Sequence, residues 1–192
     1  MREALALVSE RGLAGLTLRE IARRIGVSHA APYRHFRDRT ALLTTLAVDG
    51  LERLAARIER ALDRAGPHPR ARFLAGGWAY VRFALDEPAR FAIIFSSSAS
   101  PDDESVRAAR ERSFGTLLRY IAEAQRAGFL AMGDPISLAT PMWAMHHGLA
   151  TLAAAGGFKE ATSRAELRTL VDAAHGALID GMVARKRRAS VR

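Results

Sequence analysis

The sequence predicts an all-α protein. Apolar residues recur at spacings of three and four through nearly the whole chain, and the alternation expected of strands is almost missing. Glycines, prolines and N-cap residues interrupt this pattern and divide the chain into nine predicted helices. With 192 residues, of which 49% are hydrophobic, the chain can bury the core of one large domain or two small ones.

The first predicted helix covers about residues 2–11, and a second begins at Thr17. Thr17 and Glu20 have the spacing of a capping box, in which the hydroxyl accepts from the N–H of Glu20 and the carboxylate accepts from the N–H of Thr17. Its predicted buried face consists of Leu18, Ile21, Ala22 and Ile25. Gly26 ends this helix, because glycine adopts the left-handed conformation of a helix C-terminus at little steric cost.

A further short helix is predicted from His29 to about Phe36. Val27 is expected to pack into the corner, Ser28 to be the N-cap, and Pro32 to cost about one backbone hydrogen bond. The side chains left available are His29, Tyr33, Arg34 and His35. Two short helices around a glycine turn, the second rich in basic and hydrogen-bonding side chains, indicate a helix–turn–helix, whose second helix enters the major groove of DNA. The alternative is an ordinary helical corner with solvated arginines.

A run of residues along this segment matches a known family. The matching residues are Gly12, Leu16-Thr17-Leu18-Arg19, Ile21-Ala22, Ile25-Gly26-Val27-Ser28, Tyr33-Arg34-His35-Phe36, Asp38 and Leu42-Leu43. Through them about the first 45 residues resemble the N-terminal domain of the TetR/AcrR transcriptional regulators. The resemblance implies a DNA-binding domain over residues 1–45 and a ligand-binding and dimerisation domain over residues 46–188, in a homodimeric repressor that a small-molecule effector releases from a palindromic operator.

Two features depart from the family pattern. The sequence starts inside what resembles the family's first helix, so the usual basic N-terminal arm is absent or the start lies further upstream. Arg39 stands where family members usually carry a phosphate-binding lysine, which keeps the charge and changes its geometry.

The expected DNA-contacting residues follow from this segment. They are Thr17, Arg19, Ser28, His29, Tyr33, Arg34, His35 and Arg39. Arg19 or Arg34 can make a bidentate contact with guanine. Thr17, Tyr33, His35 and Arg39 are expected to bind phosphates, with Ser28 close to the DNA backbone.

The remaining predicted helices belong to the second domain. Asp38 caps a long helix that ends at about Ala65, and the later helices cover about residues 70–85, 89–95, 103–127, 134–155 and 163–186. Residues 96–103 are predicted as a loop, and the basic tail 185–192 is predicted as disordered. The long helix is expected to transmit rotation between the two domains.

The helix predicted at residues 134–155 is apolar on two sides and must therefore be covered on both. We expect one side to face its own domain and the other to pair with a second copy, together with the last helix. The predicted dimerisation residues are Met145, Leu149, Leu152, Leu178 and Met182. A core formed entirely within one chain is the alternative.

The same region carries a second, looser resemblance. The run from Trp143 to Gly148 resembles the Trp-His-Gly signature of one C-terminal domain class of the family, and Glu87–Phe91 with Phe95 resembles the helix that precedes it. Since such a regulator needs an effector site, we predict an apolar cavity lined by Trp78, Phe91, Phe95, Phe114, Trp143 and His147. Aromatic residues that only fill the core are the alternative.

Composition narrows the class of protein. The net charge of +9 favours a polyanionic partner. The alternative to a regulator is therefore a helical protein that binds RNA or an anionic membrane surface without operator specificity. No signal peptide and no uncharged run of about 18 residues is visible, so a soluble cytoplasmic protein is expected.

Catalytic and metal sites are not indicated. The chain has no cysteine, and the adjacent His146 and His147 point about 100° apart on a helix, so they are poorly placed to chelate one metal ion. No nucleotide-binding loop or serine-nucleophile motif occurs. We therefore expect no cofactor and no enzyme activity; a ligand-binding enzyme is the weakest alternative.

Overall fold

The computed structural model describes residues 1–96, 102–158, 161 and 163–183. These residues form no β-strand and eight α-helices, which confirms the all-α class: α1 Arg2–Arg11, α2 Leu18–Ile25, α3 Arg39–Arg64, α4 Pro69–Asp86, α5 Pro88–Ile94, α6 Glu104–Arg126, α7 Pro135–Ala154 and α8 Arg164–Met182. Two 3-10 helices, Leu13–Gly15 and Ala31–Arg34, complete this part of the chain. Residues 97–101 of the predicted loop and the predicted disordered tail lie outside the described residues.

The count of nine α-helices was one too high. The segment predicted as a helix from His29 to Phe36 forms the second 3-10 helix instead. Pro32 explains the difference, because an α-helix would need an N–H at this position to donate to the carbonyl of Ser28, and proline has none.

Three capping signals elsewhere in the sequence mark helix ends as predicted, whereas the last helix ends at Met182 rather than at about residue 186. Gly26 has φ 71° and ends α2, and the Asp134 carboxylate accepts from the N–H of Ile136 at the start of α7. At the start of α8, Ser163 and Glu166 form both hydrogen bonds of a capping box. Local backbone chemistry therefore determines where most of these helices begin and end.

The chain divides into two compact units. The first contains residues 1–56 and the described residues of 83–113, and the second contains residues 57–82 and the described residues from 114 onward. Helices α3, α4 and α6 each contribute residues to both units.

In the first unit, α5 packs against α1 and is tied to α3 by charge. The Nε of Arg90 on α5 donates to the Asp49 carboxylate at 3.0 Å, and its Nη1 donates to Glu87 at 2.8 Å. The segment predicted to bind DNA therefore folds in one unit with α5.

Two predictions about α2 were wrong. Ile25 and Val27 are exposed rather than buried, because the one-turn 3-10 helix that follows buries only Pro32 and is too short to cover them. The capping box forms only its first half: the Thr17 hydroxyl accepts from the N–H of Glu20 at 3.1 Å, whereas the Glu20 carboxylate binds arginines instead of the N–H of Thr17.

The second unit has its own apolar core. The buried members are Leu62, Phe73, Tyr120, Ile121, Ala124, Leu130, Ala139, Met142, Ile179 and Met182. Phe73 and Tyr120 pack with ring centroids 4.6 Å apart, and the Tyr120 hydroxyl donates to the carbonyl of Pro69 at 3.1 Å. Met182, predicted as a dimerisation residue, is 8% exposed and packs in this core, so it offers little surface to a second chain.

Candidate nucleic-acid interface and ligand site

The segment after α2 presents its side chains from one tight turn. The N–H groups of Ala31, Tyr33 and His35 donate to carbonyls three residues earlier, at 3.0, 3.2 and 3.0 Å. The predicted N-cap at Ser28 is not formed: the residue that precedes the 3-10 helix is Ala30, and no side chain caps it. The Ser28 carbonyl is instead the acceptor for Ala31.

Most of the predicted DNA-contacting side chains are exposed. The exposed ones are Thr17, Arg19, Ser28, His29, Tyr33, Arg34 and His35. Among them, Thr17 uses its hydroxyl in the cap of α2, where it accepts from the N–H of Glu20. The structure therefore brings hydroxyl, imidazole and guanidinium groups to the surface within 19 residues of chain.

The charge of this surface comes from arginines, most of which are already paired. Residues 1–46 contain eight arginines and four acidic residues. Both Arg11 and Arg23 bind Glu20, at 3.2 and 2.6 Å, and the Arg23 hydrogen bonds are the main cause that lowers the pKa of Glu20 to about 2. Three further arginines pair with neighbours: Arg2 with Glu3, Arg24 with Glu10 and Arg37 with Asp38.

Arg19 and Arg34 are different. Within the described residues neither side chain forms an ion pair or a hydrogen bond, and both residues are exposed. Their positive charge is thus uncompensated in the folded chain and is available to an anion or to the acceptor edge of a base.

Arg39 is partly buried, and its guanidinium is bound to the backbone of the first unit. Its Nε donates to the carbonyl of Leu16 at 2.8 Å, and its Nη2 donates to the carbonyl of Leu13 at 2.6 Å. These bonds fasten α3 to the segment that leads into α2. Sequence reasoning missed this contact, since nothing in the pattern marks two backbone carbonyls as acceptors.

The predicted ligand-binding residues are divided between the two units. Phe91 and Phe95, with ring centroids 4.9 Å apart, lie in the first unit, and the other four lie in the second. There the structure brings three of them together: Trp143 is stacked 5.9 Å from His147 and meets Phe114 edge-on at 6.3 Å. Trp78 lies under the Arg168 guanidinium, 5.9 Å from it.

Behind Trp143 lies a group of polar rings that we call the histidine cluster: Tyr80, His146, His147 and His175. The Tyr80 hydroxyl is 3.2 Å from Nδ1 of His147, and the Tyr80 ring is 5.9 Å from the ring of His146. His146 in turn meets His175 edge-on, with 4.5 Å between ring centroids. Together with Trp143, which is 40% exposed, these contacts form a continuous series of rings from the surface of the second unit to its interior.

Burial makes these groups neutral. Desolvation lowers the pKa of His146 to about 3, with a smaller contribution from His175, and lowers the pKa of His175 to about 4 against the opposing charge of Asp172. Burial also raises the pKa of Tyr80, while a hydrogen bond with the Trp143 side chain opposes the rise. At neutral pH the cluster therefore offers uncharged donors and acceptors.

His175 is the innermost member and the least satisfied. It is 1% exposed, and neither Nδ1 nor Nε2 has a hydrogen-bond partner among the described residues. Its ring lies against Gly77 of α4. Sequence reasoning missed Tyr80, Gly77 and His175, although His175 interrupts an apolar stripe at spacings of four, formed by Leu167, Val171 and Ile179.

The predicted dimerisation residues other than Met182 remain at least partly accessible. Leu152 is 53% exposed, and Met145, Leu149 and Leu178 are half-buried. No Asp, Glu, Lys or Arg occurs in α7, although residues along one of its sides are exposed. An uncharged exposed helix face is typical of a surface that another chain covers.

The described part of the chain lacks two further features. No three His, Cys, Asp or Glu side chains there are grouped so as to hold a metal ion. None of the helices there has the length and apolar character needed to cross a membrane.

Two family profiles match the chain. Residues 1–46 match that described as "Bacterial regulatory proteins, tetR family", and residues 73–178 match "Tetracyclin repressor-like, C-terminal domain". The first profile covers α1, α2 and both 3-10 helices, and the second covers more than half of the chain.

Curated relatives match in the same regions. The HTH-type transcriptional regulator Rv1816 of Mycobacterium tuberculosis is 32% identical over 141 residues, which are 67% of this chain and 56% of that protein. The chain thus spans little more than half the length of that relative. The tetracycline repressor protein class A from transposon 1721 of Escherichia coli is 51% identical over 47 residues, 24% of this chain and 22% of that protein.

Solved structures match over nearly the whole chain. A protein of unknown function from Rhodococcus sp. RHA1 is 40% identical, with a TM-score of 0.85 over 96% of this chain and 93% of that one. The TetR family transcriptional regulator PfmR from Thermus thermophilus has a TM-score of 0.73 at 21% identity, over 93% of this chain and 95% of that one. At that identity the second likeness concerns the fold alone.

Proposed function

Because the chain belongs to the TetR family of bacterial regulatory proteins, we propose that it is a transcriptional regulator that binds a double-stranded DNA operator. The observation that carries the proposal is the pair of uncompensated charges, Arg19 and Arg34, on an exposed helix–turn–helix. Residues 1–45 are the DNA-binding domain, and residues 46–188 bind the ligand and the second subunit. The second domain belongs to the Trp-His-Gly class, a proposal that the run from Trp143 to Gly148 supports.

Base contacts fall to the side chains with free polar groups. Arg34 or Arg19 donates to guanine in the major groove, next to His29. Tyr33, His35, Thr17 and Ser28 bind the phosphates, through hydroxyl or imidazole groups that are exposed. Arg39 also contributes positive charge near the phosphates, although two of its donors serve the carbonyls of Leu13 and Leu16.

The functional unit is a homodimer that binds a palindrome. Its interface is the uncharged face of α7 with α8, and it includes Leu152, Met145, Leu149 and Leu178. The support is the exposure of Leu152 on a helix that has no charged residue. A two-fold dimer that reads two half-sites would place its recognition segments about 34–36 Å apart, one turn of B-DNA.

The protein acts as a repressor, and a small apolar or aromatic effector releases it from the operator. The effector binds in the second unit, where Trp143, His147 and Phe114 contact one another. Trp78 belongs to the same unit, whereas Phe91 and Phe95 lie in the first. Helix α3 carries the response, since it is continuous from the first unit into the second.

The experiment is a selection of bound duplexes from a random library, followed by competition at several salt concentrations. The selected sequence should be an inverted repeat, bound at least a hundredfold more tightly than its scrambled version. Affinity for both should fall with salt, because each phosphate contact releases counterions. Equal affinity for the selected duplex, the scrambled duplex, single-stranded RNA and anionic vesicles would instead favour the alternative of a helical protein without operator specificity.

A further inference from the structure

His175 occupies a position where an apolar residue would serve the fold better. It continues the stripe of Leu167, Val171 and Ile179 on the buried side of α8. A buried polar group without a partner lowers stability, and a leucine at this position would avoid that loss. Violations of a local folding rule of this kind concentrate at functional sites.

The neighbours of His175 do not complete its hydrogen bonding. His146 meets it edge-on at 4.5 Å between ring centroids, and Gly77 contributes only backbone on the other side. A second orphaned atom lies one turn earlier on α8: Oδ1 of Asp172 is buried and has no partner among the described residues. Two residues of one helix face thus hold buried polar atoms that no described residue satisfies.

We propose that the histidine cluster is the polar end of the effector site and that it selects an uncharged aromatic molecule that carries a hydroxyl group. This inference rests on the proposed function, since it names the chemistry of the effector. The hydroxyl hydrogen-bonds with His175, and the aromatic body lies among Tyr80, Trp143 and Phe114.

The hydroxyl follows from the chemistry of a neutral imidazole. One ring nitrogen donates a hydrogen bond and the other accepts one. A hydroxyl both donates and accepts, so it can pair with either nitrogen of His175 in either tautomer. A carbonyl can pair only with the N–H.

Charged ligands are disfavoured by the surroundings. The pKa values of about 3 and about 4 leave His146 and His175 without positive charge to hold an anion, and the Asp172 carboxylate nearby repels one. A cation gains little from Asp172, because Oδ2 of that carboxylate already accepts from Nε of Arg168 at 3.3 Å. Burial of either ion would carry a desolvation cost that neutral imidazoles cannot offset.

The aromatic body follows from the rings between the cluster and the surface. Trp143 is stacked on His147 and meets Phe114 edge-on, and it is 40% exposed. From Trp143 the ring contacts continue through His147 and Tyr80 to His146 and then to His175. Flat aromatic molecules pack against such rings with favourable stacking or edge contacts.

The test compares four probes with the same bicyclic ring: 2-naphthol, naphthalene, 2-naphthoate and 2-naphthylmethylammonium. Binding to the full-length protein is measured by calorimetry at pH 7 without DNA. We expect 2-naphthol to bind at least tenfold more tightly than the other three, a preference of about 1.4 kcal/mol. The imidazole nitrogen resonances of His175 should shift with 2-naphthol and not with naphthalene.

Three variants locate the preference. His175→Leu should remove it, so that 2-naphthol and naphthalene bind alike, while the thermal midpoint stays the same or rises. His175→Gln keeps a donor and an acceptor and should retain most of the preference for 2-naphthol. This second variant tests the role of residue 175 even if the leucine variant fails to fold. His68→Leu makes the same change at an exposed histidine of the second unit and should alter nothing.

The outcomes separate this inference from the regulator itself. Equal binding of all four probes, tighter binding of a charged probe, or no binding of 2-naphthol with unshifted His175 resonances would overturn the inference, even if the operator is bound. Selective binding of 2-naphthol that depends on His175 but leaves operator affinity unchanged would support the site and contradict effector-controlled release.

Discussion

The imidazole of His175 lies so close to Gly77 that a methyl group on residue 77 would stand 2.2 Å from its Cε1 atom. Non-bonded atoms do not approach to that distance. The ring on α8 can therefore lie against the backbone of α4 only while residue 77 is glycine. The close approach fixes the innermost member of the histidine cluster.

Gly77→Ala should therefore destabilise the protein, by about 1–3 kcal/mol, because the new methyl group must displace a buried ring. Elsewhere in a helix the same change is favourable by up to about 1 kcal/mol. Gly115 of α6 is the matched control, since nothing lies within 4 Å of the position of its Cβ. Urea denaturation of both variants measures the difference, and equal stabilisation by both would contradict the close contact.

The two buried histidines should make stability depend on pH. Their pKa values in the folded chain, about 3 for His146 and about 4 for His175, lie below the value of 6.5 in the unfolded chain. Between these pH values the unfolded chain therefore binds more protons than the folded chain. Stability is then complete above pH 6.5 and falls as the pH drops towards 4, by up to about 2 kcal/mol per histidine at pH 5.

Denaturation at pH 7.5 and at pH 5 checks this, because carboxylates with low pKa values such as Glu20 stay ionised throughout that window. His175→Leu should remove about half of the difference and His68→Leu none of it. A free energy of unfolding that is the same at both pH values would show that the imidazoles are not buried in their neutral form.

Most of the fold followed from short-range signals in the sequence, and most of the interior site did not. Thr17, Gly26, Asp134 and Ser163 mark helix ends through contacts with residues at most four positions away. The histidine cluster instead joins three helices that are distant in the chain, and no local pattern pairs Tyr80 with His147. No pattern of neighbouring residues in the sequence predicts packing between residues so far apart in the chain.

Arg39 and Pro32 show the same limit within the first unit. The charge at residue 39 was apparent from the sequence, but its bonds to the carbonyls of Leu13 and Leu16 depend on how α3 folds back on the segment before α2. Pro32 was expected to cost about one backbone hydrogen bond within an α-helix. Its effect on the backbone is larger, because the segment that lacks this N–H forms a 3-10 turn instead of the predicted α-helix.

Arg34→Ala should relax operator preference at one or two base pairs, at a cost of about 1–3 kcal/mol. The reason is that Arg34 is exposed and has no ion-pair partner among the described residues. Arg37→Ala is the control, because Arg37 is also exposed but is paired with Asp38 at 3.0 Å. Footprinting on the selected duplex measures both; a loss that is uniform across sequences would assign Arg34 to a phosphate instead.

Leu152→Glu should break the proposed homodimer. The side chain is 53% exposed on the uncharged face of α7, so the change does little to the fold of one chain but would bury an unpaired charge between two. Met132→Glu changes a side chain that is 76% exposed in the loop before α7 and should leave the dimer intact. Sedimentation gives the mass, and a Leu152→Glu variant that stays dimeric would move the interface to another surface.

Trp143→Ala should abolish release by the effector while operator affinity stays nearly unchanged. Trp143 contacts His147 and Phe114 in the second unit, and the side chains proposed to contact DNA lie in the first. A ligand can weaken operator binding only through its different affinity for the two states, and a tenfold loss needs about 1.4 kcal/mol. By reciprocity, operator DNA must weaken effector binding by the same factor, so titrations in both directions should agree for the wild type. In the variant both effects should vanish together; loss of operator binding without effector would mean that Trp143 supports the fold rather than the ligand.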